Sequence, residues 1–181
     1  MFRCPIGPDA ELRLLEERHA DEIFALVDRD REYLRTWLPW VDRSTEAEVT
    51  RAFIRGALDQ FARNEILVSG IWFKQRFAGC VGTVPINWSD LSVELGYWLG
   101  KDFQGQGLAT AGVKALIRHA FLEWRLNRVV IRCATGNLRS QAIPKRLGFQ
   151  LEGTLRQAHL VNGDFQDLHI YSQLLKEWNP F

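Results

Sequence analysis

Gln104-Gly105-Gln106-Gly107-Leu108-Ala109 is the stretch that decides the fold, because it joins a strand-like segment to a helical one. Residues 93–99 before it are β-branched, aromatic and aliphatic, as is typical of a strand. From Val113 to Trp124, apolar side chains recur at three- and four-residue spacing, which predicts one buried helix face. The first turn of a helix has N–H groups without intrahelical partners, and glycines allow a ligand to approach the backbone closely. The stretch therefore predicts a phosphate-binding loop.

Two widely known phosphate loops do not fit these residues. The stretch lacks the Gly-Lys-Ser/Thr ending of a P-loop, and it is one glycine short of the dinucleotide fingerprint. A Gly-rich turn is the remaining alternative if the six residues are taken alone. The downstream sequence weighs against it. Residues 128–133 have the pattern of a buried strand, Asn137 opens a short helix that ends at Leu147-Gly148-Phe149, and Asn162-Gly163 predicts a hairpin between two further strands.

This series of motifs resembles the GNAT superfamily of N-acetyltransferases. The family's pyrophosphate loop, Gln/Arg-x-x-Gly-x-Gly/Ala, is matched by Gln104, Gly107 and Ala109, and its Asn-x-x-Ser/Ala segment followed by Gly-Phe is matched within residues 137–149. The resemblance implies acetyl-CoA as cosubstrate, with no metal, and a backbone N–H of Trp98 or Leu99 as the oxyanion donor. The residues expected to bind acetyl-CoA are Tyr97, Trp98, Leu99, Gln104, Gly105, Gln106, Gly107, Leu108, Ala109, Thr110, Asn137 and Ser140.

Within that superfamily the chain resembles the RimJ/RimL group, whose members acetylate the amino termini of ribosomal proteins. The resemblance extends from about residue 10 to 175 and is carried by residues 30–42, 94–98 and 162–165. It implies a protein N-terminal α-amine as the preferred acceptor, and a homodimer. Antibiotic and polyamine acetyltransferases share much of the pattern, so a small-molecule amine is the alternative acceptor. A non-catalytic acyl-CoA-binding module is the rival from another class.

The N-terminal half predicts one strand, two helices and a hairpin. Residues 12–15 form the strand, and residues 19–34 form a helix with its apolar side inward. Thr45 and Glu48 fit a capping box before the second helix. The hairpin turns around Lys74-Gln75-Arg76. The positions expected on the apolar face of the second helix are Val49, Phe53, Ala57 and Phe61.

The resulting order, β-α-α-β-β-β-α-β-α-β-β, matches the GNAT fold, so we expect an α/β domain spanning residues 1–181. The resemblance implies a mixed, mostly antiparallel sheet that is splayed in the middle and has helices on both faces. At 181 residues and 46% hydrophobic, the chain is long enough to fill one core. No linker-like or low-complexity stretch divides it.

Composition also restricts partners and location. A net charge of +1 offers no field suited to nucleic acid, and no apolar run approaches the roughly 20 residues that span a bilayer. The N-terminus lacks a signal-peptide core, which indicates a cytoplasmic protein. Cys4, Cys80 and Cys133 are widely spaced and form no metal pattern with the four histidines, so the second and third are expected in the core.

Acyl transfer to an amine requires a base, and two residues could serve. Glu94 shares strand parity with Gly96 and Trp98, near the point where the superfamily often has a catalytic carboxylate; a solvated or ion-paired residue is the alternative. His159 stands where RimL-like enzymes tend to have a glutamate, and imidazole is well matched to an α-amine. A surface histidine is the alternative. The sequence does not decide between them.

Other residues are candidates for stabilising the CoA thiolate and for binding the acceptor amine. The resemblance implies that Ser140 donates a hydrogen bond to the CoA sulfur, although it could simply support the helix turn after Asn137. Pro144 has no N–H for the Ser140 carbonyl, so we expect a reoriented serine or a short helix. The candidate acceptor-binding residues are Trp37, Trp40 and Asp42; the two tryptophans could equally be packing residues.

Overall fold

A computed structural model describes residues 3–180 of the chain. These residues form one eight-stranded sheet in the order β1-β2-β3-β4-β5-β6-β8-β7. Neighbouring strands are antiparallel except β5 and β6. The strands are β1 (Arg3–Gly7), β2 (Ala10–Leu14), β3 (Val68–Phe73), β4 (Arg76–Thr83), β5 (Ser92–Leu99), β6 (Arg128–Ala134), β7 (Gln150–Val161) and β8 (Asp164–Leu174). β1 is an addition to the predicted order.

Turn chemistry explains two of the hairpins. Lys74 and Gln75, between β3 and β4, have φ values of 48° and 63°, and Asn162 and Gly163, between β7 and β8, have values of 52° and 89°. Two successive left-handed residues give a turn whose twist matches that of the flanking strands. Both predicted hairpins are confirmed.

The helices are α1 (Ala20–Arg29), α2 (Arg31–Leu34), α3 (Ala47–Ala62), α4 (Leu108–Leu122) and α5 (Leu138–Arg146). The single helix predicted over residues 19–34 is wrong in one respect, because it breaks at Asp30, where φ is −102° and ψ is 14°. The buried Asp30 carboxylate is hydrogen-bonded to the loop before α4 rather than exposed on a helix surface. Tertiary contact therefore interrupts a helix that the local pattern favours.

The start and the face of α3 also differ from expectation. Glu46, rather than Thr45, precedes the first helical residue, and its side chain makes no cap hydrogen bond, so the predicted capping box is wrong. The helix buries Thr50, Ile54 and Ala57. These three residues are buried because this side of the helix packs against α1. Of the four positions expected to face inward, only Ala57 does so. The other three, Val49, Phe53 and Phe61, are 38%, 54% and 39% exposed.

The parallel contact between β5 and β6 creates the opening that matters for function. Only three residue pairs join the two strands, and the last of them is Glu94 with Val130. Beyond that point the strands diverge. On one face α4 packs with Gly112 close to Val81 and Ile71, whereas α1 contacts β4 through the Glu22 carboxylate, which accepts a hydrogen bond from the Phe77 N–H. The predicted mixed α/β sheet, splayed in the middle and flanked by helices, is confirmed.

Among residues 3–180, no helix is long and apolar enough to cross a membrane. The three cysteines are free; Cys80 and Cys133 belong to the buried core, as predicted, and Cys4 is exposed.

Candidate active site

A cleft of about 1310 Å³ lies where β5 and β6 separate. One wall is β5 from Glu94 to Leu99, and the other is formed by the end of β6 and the start of α5. The loop before α4 closes one end. The segment after α2, together with Ala158 and His159 of β7, closes the other. The cleft therefore brings together most of the residues that the sequence singled out.

The glycine loop has the conformation that the phosphate-binding hypothesis requires. Gly105 and Gly107 have φ values of 72° and 75°, and Gly107 is the residue immediately before α4. Apart from the residues next to it in the chain, a Cβ at either position would meet no atom of residues 3–180 within 4 Å. The glycines are thus needed for the left-handed backbone and leave open space in front of the first-turn N–H groups of α4. Leu108, Ala109 and Thr110 supply that first turn and line the cleft, whereas the Gln106 side chain turns back to the Asp102 carbonyl at 3.1 Å.

One unpaired donor and three cations lie beside this loop. The buried Nε2 of Gln104 has no hydrogen-bond partner among residues 3–180, and its Oε1 accepts a hydrogen bond from Arg139. Arg146 donates to the Thr110 hydroxyl at 3.0 Å, and Lys101 also lines the cleft. An orphaned amide donor and three cations beside a helix N-terminus fit the phosphates of acetyl-CoA.

Arg139 and Arg146 were not predicted from the sequence. They stand seven residues apart on α5, so they lie on one face two turns apart. That spacing was the available signal, but only the fold shows that this face of α5 is turned toward the glycine loop.

Asp30 fixes the loop from the other side. Its Oδ2 accepts a hydrogen bond from the Lys101 N–H at 2.7 Å, and both carboxylate oxygens bond to Arg29. The Arg29 guanidinium lowers the pKa of this carboxyl below its ordinary value. A Cβ on Gly100 would come within 2.9 Å of Oδ2 and 2.6 Å of the Leu26 side chain, so any larger residue here would have to displace these two side chains.

Strand alternation decides which backbone donors face the cleft. The Gly100 N–H donates to Ala78, and the Val84 N–H donates to Glu94, so even-numbered residues of β5 bond to β4. Trp98 pairs with Cys80 in the same register and has its N–H turned toward β4. The N–H of Leu99 points the other way, into the gap. Of the two oxyanion donors expected, only Leu99 is therefore suitably oriented.

Ser140 lies in a small polar cluster inside the cleft. Its Oγ is 3.2 Å from the Tyr97 hydroxyl and 3.2 Å from the Cys133 sulfur. Its N–H donates to the Asn137 side chain at 3.0 Å, which is the expected cap at the start of α5. Pro144 does not end the helix, which continues to Arg146. The Ser140 carbonyl instead accepts a hydrogen bond from the Tyr97 hydroxyl at 2.9 Å.

Burial keeps this cluster neutral. It raises the pKa of the Tyr97 hydroxyl far above its ordinary range and also raises the pKa of the Cys133 thiol. A thiol that holds its proton is a poor nucleophile, so a covalent acyl-cysteine route is disfavoured at Cys133. Burial raises the pKa of Cys80 as well.

The two candidate bases both line the cleft but differ in their partners. Glu94 forms an ion pair with Arg132, with 2.7 Å between Oε2 and Nε. His159 is half-buried, and its Nε2 lies 3.4 Å from the Trp37 carbonyl oxygen. Because a carbonyl only accepts, this contact favours the tautomer with its proton on Nε2 and a free lone pair on Nδ1.

A bulge in β7 brings His159 into the cleft. Leu155 pairs with Leu168 and His159 with Gln166, so three residues of β7 stand opposite one of β8. Gln157, inside the bulge, has a φ of 50°, and its N–H donates to the Asp167 carboxylate at 2.8 Å. A bulge changes the direction of the side chains that follow it.

The candidate acceptor residues are in part at the cleft. Trp37 and Trp40 line it, and the Trp40 ring lies 5.7 Å from that of Trp98. Asp42 lies outside the lining and forms a bidentate ion pair with Arg35 at 2.9 and 3.0 Å. A protonated amine would therefore have to compete with Arg35 for the Asp42 carboxylate. Tyr33 and Leu38, which were not predicted, also line this end.

Known proteins share this architecture and much of the sequence. YdaF of Bacillus subtilis strain 168, provisionally named a ribosomal N-acetyltransferase, is 34% identical over 179 residues, 98% of each chain. The ribosomal-protein-serine acetyltransferase of Escherichia coli K12 is 28% identical over 170 residues, 94% of this chain and 95% of that one. The spermidine N(1)-acetyltransferase of the same organism is 29% identical over 90 residues, about half of each chain.

Solved structures agree. RimL, a ribosomal L7/L12 α-N-protein acetyltransferase solved with coenzyme A in a disulfide to one of its cysteines, has a TM-score of 0.92 and 30% identity, covering 96% of this chain and 98% of that one. The microcin C7 self-immunity acetyltransferase MccE, solved with acetyl-CoA and AMP, has a TM-score of 0.89 and 28% identity, covering 93% and 94%. The profile of the acetyltransferase (GNAT) domain matches residues 10–150. The chain belongs to the GNAT family and is an acetyl-CoA-dependent N-acetyltransferase.

Proposed function

We propose that this single-domain enzyme transfers an acetyl group to the α-amine of a protein N-terminus by direct attack of the amine on the thioester. The observation that carries the proposal is the arrangement of the cleft. Anion-binding groups lie at one end, Ser140 lies on a wall, and Glu94 and His159 line the same space as Trp37. The relatives named for ribosomal proteins support this acceptor class, and with it a cytoplasmic location.

Acetyl-CoA supplies the activated acetyl group. In the proposed arrangement, Gln104 and the N–H groups that open α4 hold the pyrophosphate, and Arg139 and Arg146 neutralise phosphate charge. The second half of β5 has one edge free of β6 and can hydrogen-bond the pantetheine amides. The thioester then lies near Ser140, at the middle of the cleft.

The base is assigned to His159, with Glu94 as the alternative. The Glu94 carboxylate is already engaged by Arg132, whereas the Nε2 contact of His159 with the Trp37 carbonyl leaves its Nδ1 lone pair free. An α-amine has a pKa of about 8 and a lysine amine about 10.4, so lysine costs about 3.3 kcal/mol more to deprotonate. An imidazole can serve the first and is poorly matched to the second. This difference supports an α-amine acceptor.

The negative charges that develop on the carbonyl oxygen and on the departing sulfur each have a hydrogen-bond donor in the cleft. As the amine nitrogen bonds to the acetyl carbon, the carbonyl oxygen gains negative charge and the Leu99 N–H is oriented to stabilise it. The carbon–sulfur bond then breaks, and the Ser140 hydroxyl donates a hydrogen bond to the departing thiolate. The amine proton passes to the base. No metal takes part in this scheme.

A small-molecule amine is the second candidate acceptor. It is favoured by the half-length match to a spermidine acetyltransferase and by the likeness to MccE. The chemistry in the cleft would be the same; only the groups that hold the acceptor would differ.

A panel of matched acceptors tests the proposal. One peptide has a free α-amine and no lysine; its partner has the same sequence with an acetylated N-terminus and one added lysine, and spermidine is the third acceptor. We expect acetyl-CoA-dependent thiol release with the first peptide at a kcat/KM at least about 100-fold above the second. Preference for the capped lysine peptide would contradict the acceptor class, and preference for spermidine would establish the alternative.

The homodimer implied by the resemblance is part of the proposal. β7 is a twelve-residue edge strand, and Leu151 and Leu155 on it are 53% and 39% exposed. Exposed apolar residues on an edge strand are a common contact surface. Sedimentation of the whole chain at several concentrations measures the state.

A further inference from the structure

Tyr97 and Pro144 both affect the hydrogen bonding of Ser140, and neither has a part in the proposed transfer step. Pro144 has no N–H, so α5 cannot supply the usual bond to the carbonyl four residues earlier, which is that of Ser140. The Tyr97 hydroxyl, from β5, donates to this carbonyl at 2.9 Å. A strand residue thus replaces the hydrogen bond that the helix has lost.

The protons in this cluster can be assigned from the chemistry of the groups. A carbonyl oxygen only accepts, so the single proton of Tyr97 is committed to Ser140. The phenol oxygen keeps lone pairs, and the Ser140 Oγ, 3.2 Å away, donates to it. Tyr97 therefore bonds both the backbone and the side chain of Ser140, as donor to the first and acceptor from the second.

We propose that Tyr97 is a positioning residue for Ser140, holding its hydroxyl where it can turn from the phenol oxygen to the leaving sulfur of acetyl-CoA. The inference rests on the proposed function, in which Ser140 stabilises the thiolate. Only the O–H bond has to rotate, because the oxygen is already fixed by its neighbours. A donor that is in place before charge develops on sulfur costs little reorganisation during the reaction.

The cysteine beside the serine fits this role. Cys133 lies 3.2 Å from the Ser140 Oγ and 3.9 Å from the Tyr97 hydroxyl, so its thiol lies in the same cluster. Sulfur is a weak acceptor, and a neutral thiol competes poorly with the phenol oxygen for the serine proton. A thiolate is a much stronger acceptor than either. The serine proton should therefore change partner when the CoA thiolate forms.

A mutant cycle tests whether Tyr97 acts through Ser140. We expect Ser140→Ala to lower kcat for an N-terminal peptide by about 10- to 100-fold and Tyr97→Phe to lower it by about 5- to 30-fold. The double variant should be no slower than Ser140→Ala by more than about twofold, since two residues that act as a unit are not additive. Calorimetry with acetyl-CoA should show affinity within about threefold of wild type in all three.

Pro144→Ala provides the control for a merely structural role. The substitution restores an N–H that can bond the Ser140 carbonyl, so it should recover most of the unfolding midpoint lost in Tyr97→Phe. It cannot replace the acceptor that the phenol offers to the Ser140 hydroxyl. We therefore expect kcat of Tyr97→Phe/Pro144→Ala to stay low although stability returns. This double variant also keeps the test usable if Tyr97→Phe alone folds poorly.

Each outcome decides a different point. Recovery of kcat together with stability in Tyr97→Phe/Pro144→Ala would overturn the inference, because Tyr97 would then serve only the helix. Losses that multiply in the Tyr97→Phe/Ser140→Ala variant, or an unchanged kcat in Tyr97→Phe beside a slow Ser140→Ala, would also overturn it and leave the proposed function standing. An unchanged kcat in Ser140→Ala would remove the thiolate role itself.

Discussion

The Asp30 carboxylate accepts the Lys101 N–H at 2.7 Å, and this bond ties the break between α1 and α2 to the glycine loop. The same carboxylate is paired with Arg29, which lowers its pKa. A carboxyl whose pKa is lower in the folded than in the unfolded chain stabilises the fold above its ordinary value, near pH 4. That contribution is lost as the pH falls further.

Asp30→Asn should therefore remove a pH-dependent part of the stability. We expect the variant to lose about 1.5 to 3 kcal/mol of unfolding free energy at pH 7, the range for a hydrogen bond to a charged group. The difference from wild type should shrink below about pH 4. Urea unfolding at several pH values measures it. Asp28→Asn, an exposed acid paired with Arg31, is the matched control, and an equal loss there would show that Asp30 has no special part.

Two substitutions of Gly107 should differ in their effect on acetyl-CoA affinity. Its φ of 75° is costly for a β-branched residue and tolerable for asparagine, and open space surrounds the missing Cβ. Gly107→Val should weaken acetyl-CoA binding by about tenfold or more, because it strains the backbone and fills the space in front of the α4 N–H groups; Gly107→Asn fills the space without the strain and should weaken binding less. Calorimetry compares them. Equal affinities of Gly107→Val and wild type would place the pyrophosphate elsewhere.

Arg139 and Arg146 should bind phosphate charge rather than the acyl arm. Arg139→Gln/Arg146→Gln should weaken acetyl-CoA by about 10- to 100-fold and reduce the dependence of its Kd on salt. The KM for an S-acetyl-pantetheine fragment without phosphates should hardly change. Arg118→Gln, on α4 beside a different cavity, is the control. Equal losses for the fragment and for acetyl-CoA would contradict the assignment.

Substitution of each candidate base separates the two assignments. With His159 as base, His159→Gln should lower kcat for an α-amine peptide by about 10²- to 10⁴-fold, the usual contribution of a general base, whereas Glu94→Gln should lower it by less than about tenfold. Steady-state kinetics of the two variants measures the difference. The reverse pattern would assign the base to Glu94. Small losses in both variants would show that neither side chain removes the amine proton.

Features set by local chemistry were predictable. The glycine loop, the turns at Lys74-Gln75 and Asn162-Gly163, and the cap at Asn137 each depend on residues within a few positions of one another. Conformational preference and short-range hydrogen bonds are enough to specify them.

Features set by distant partners were not predictable. The break at Asp30 depends on Lys101, 71 residues away. The exposed Phe53 stands on a helix whose buried side is chosen by α1, and apolar spacing alone allowed two faces. The bulge at Gln157 depends on Asp167 in the next strand. The cations on α5 became recognisable only when the fold placed them opposite the loop.

The alternating direction of the N–H groups along β5 has a consequence for amide hydrogen exchange. Even-numbered N–H groups bond to β4, whereas those of Tyr97 and Leu99 face the gap left by β6. In the free protein, deuterium should therefore enter Tyr97 and Leu99 quickly and Trp98 slowly, giving an every-other-residue pattern along a single strand. Occupancy of the gap by the pantetheine arm would slow the fast sites and leave the slow one unchanged. The exchange rates of individual β5 amides therefore report how far along the strand the pantetheine arm of the cosubstrate extends.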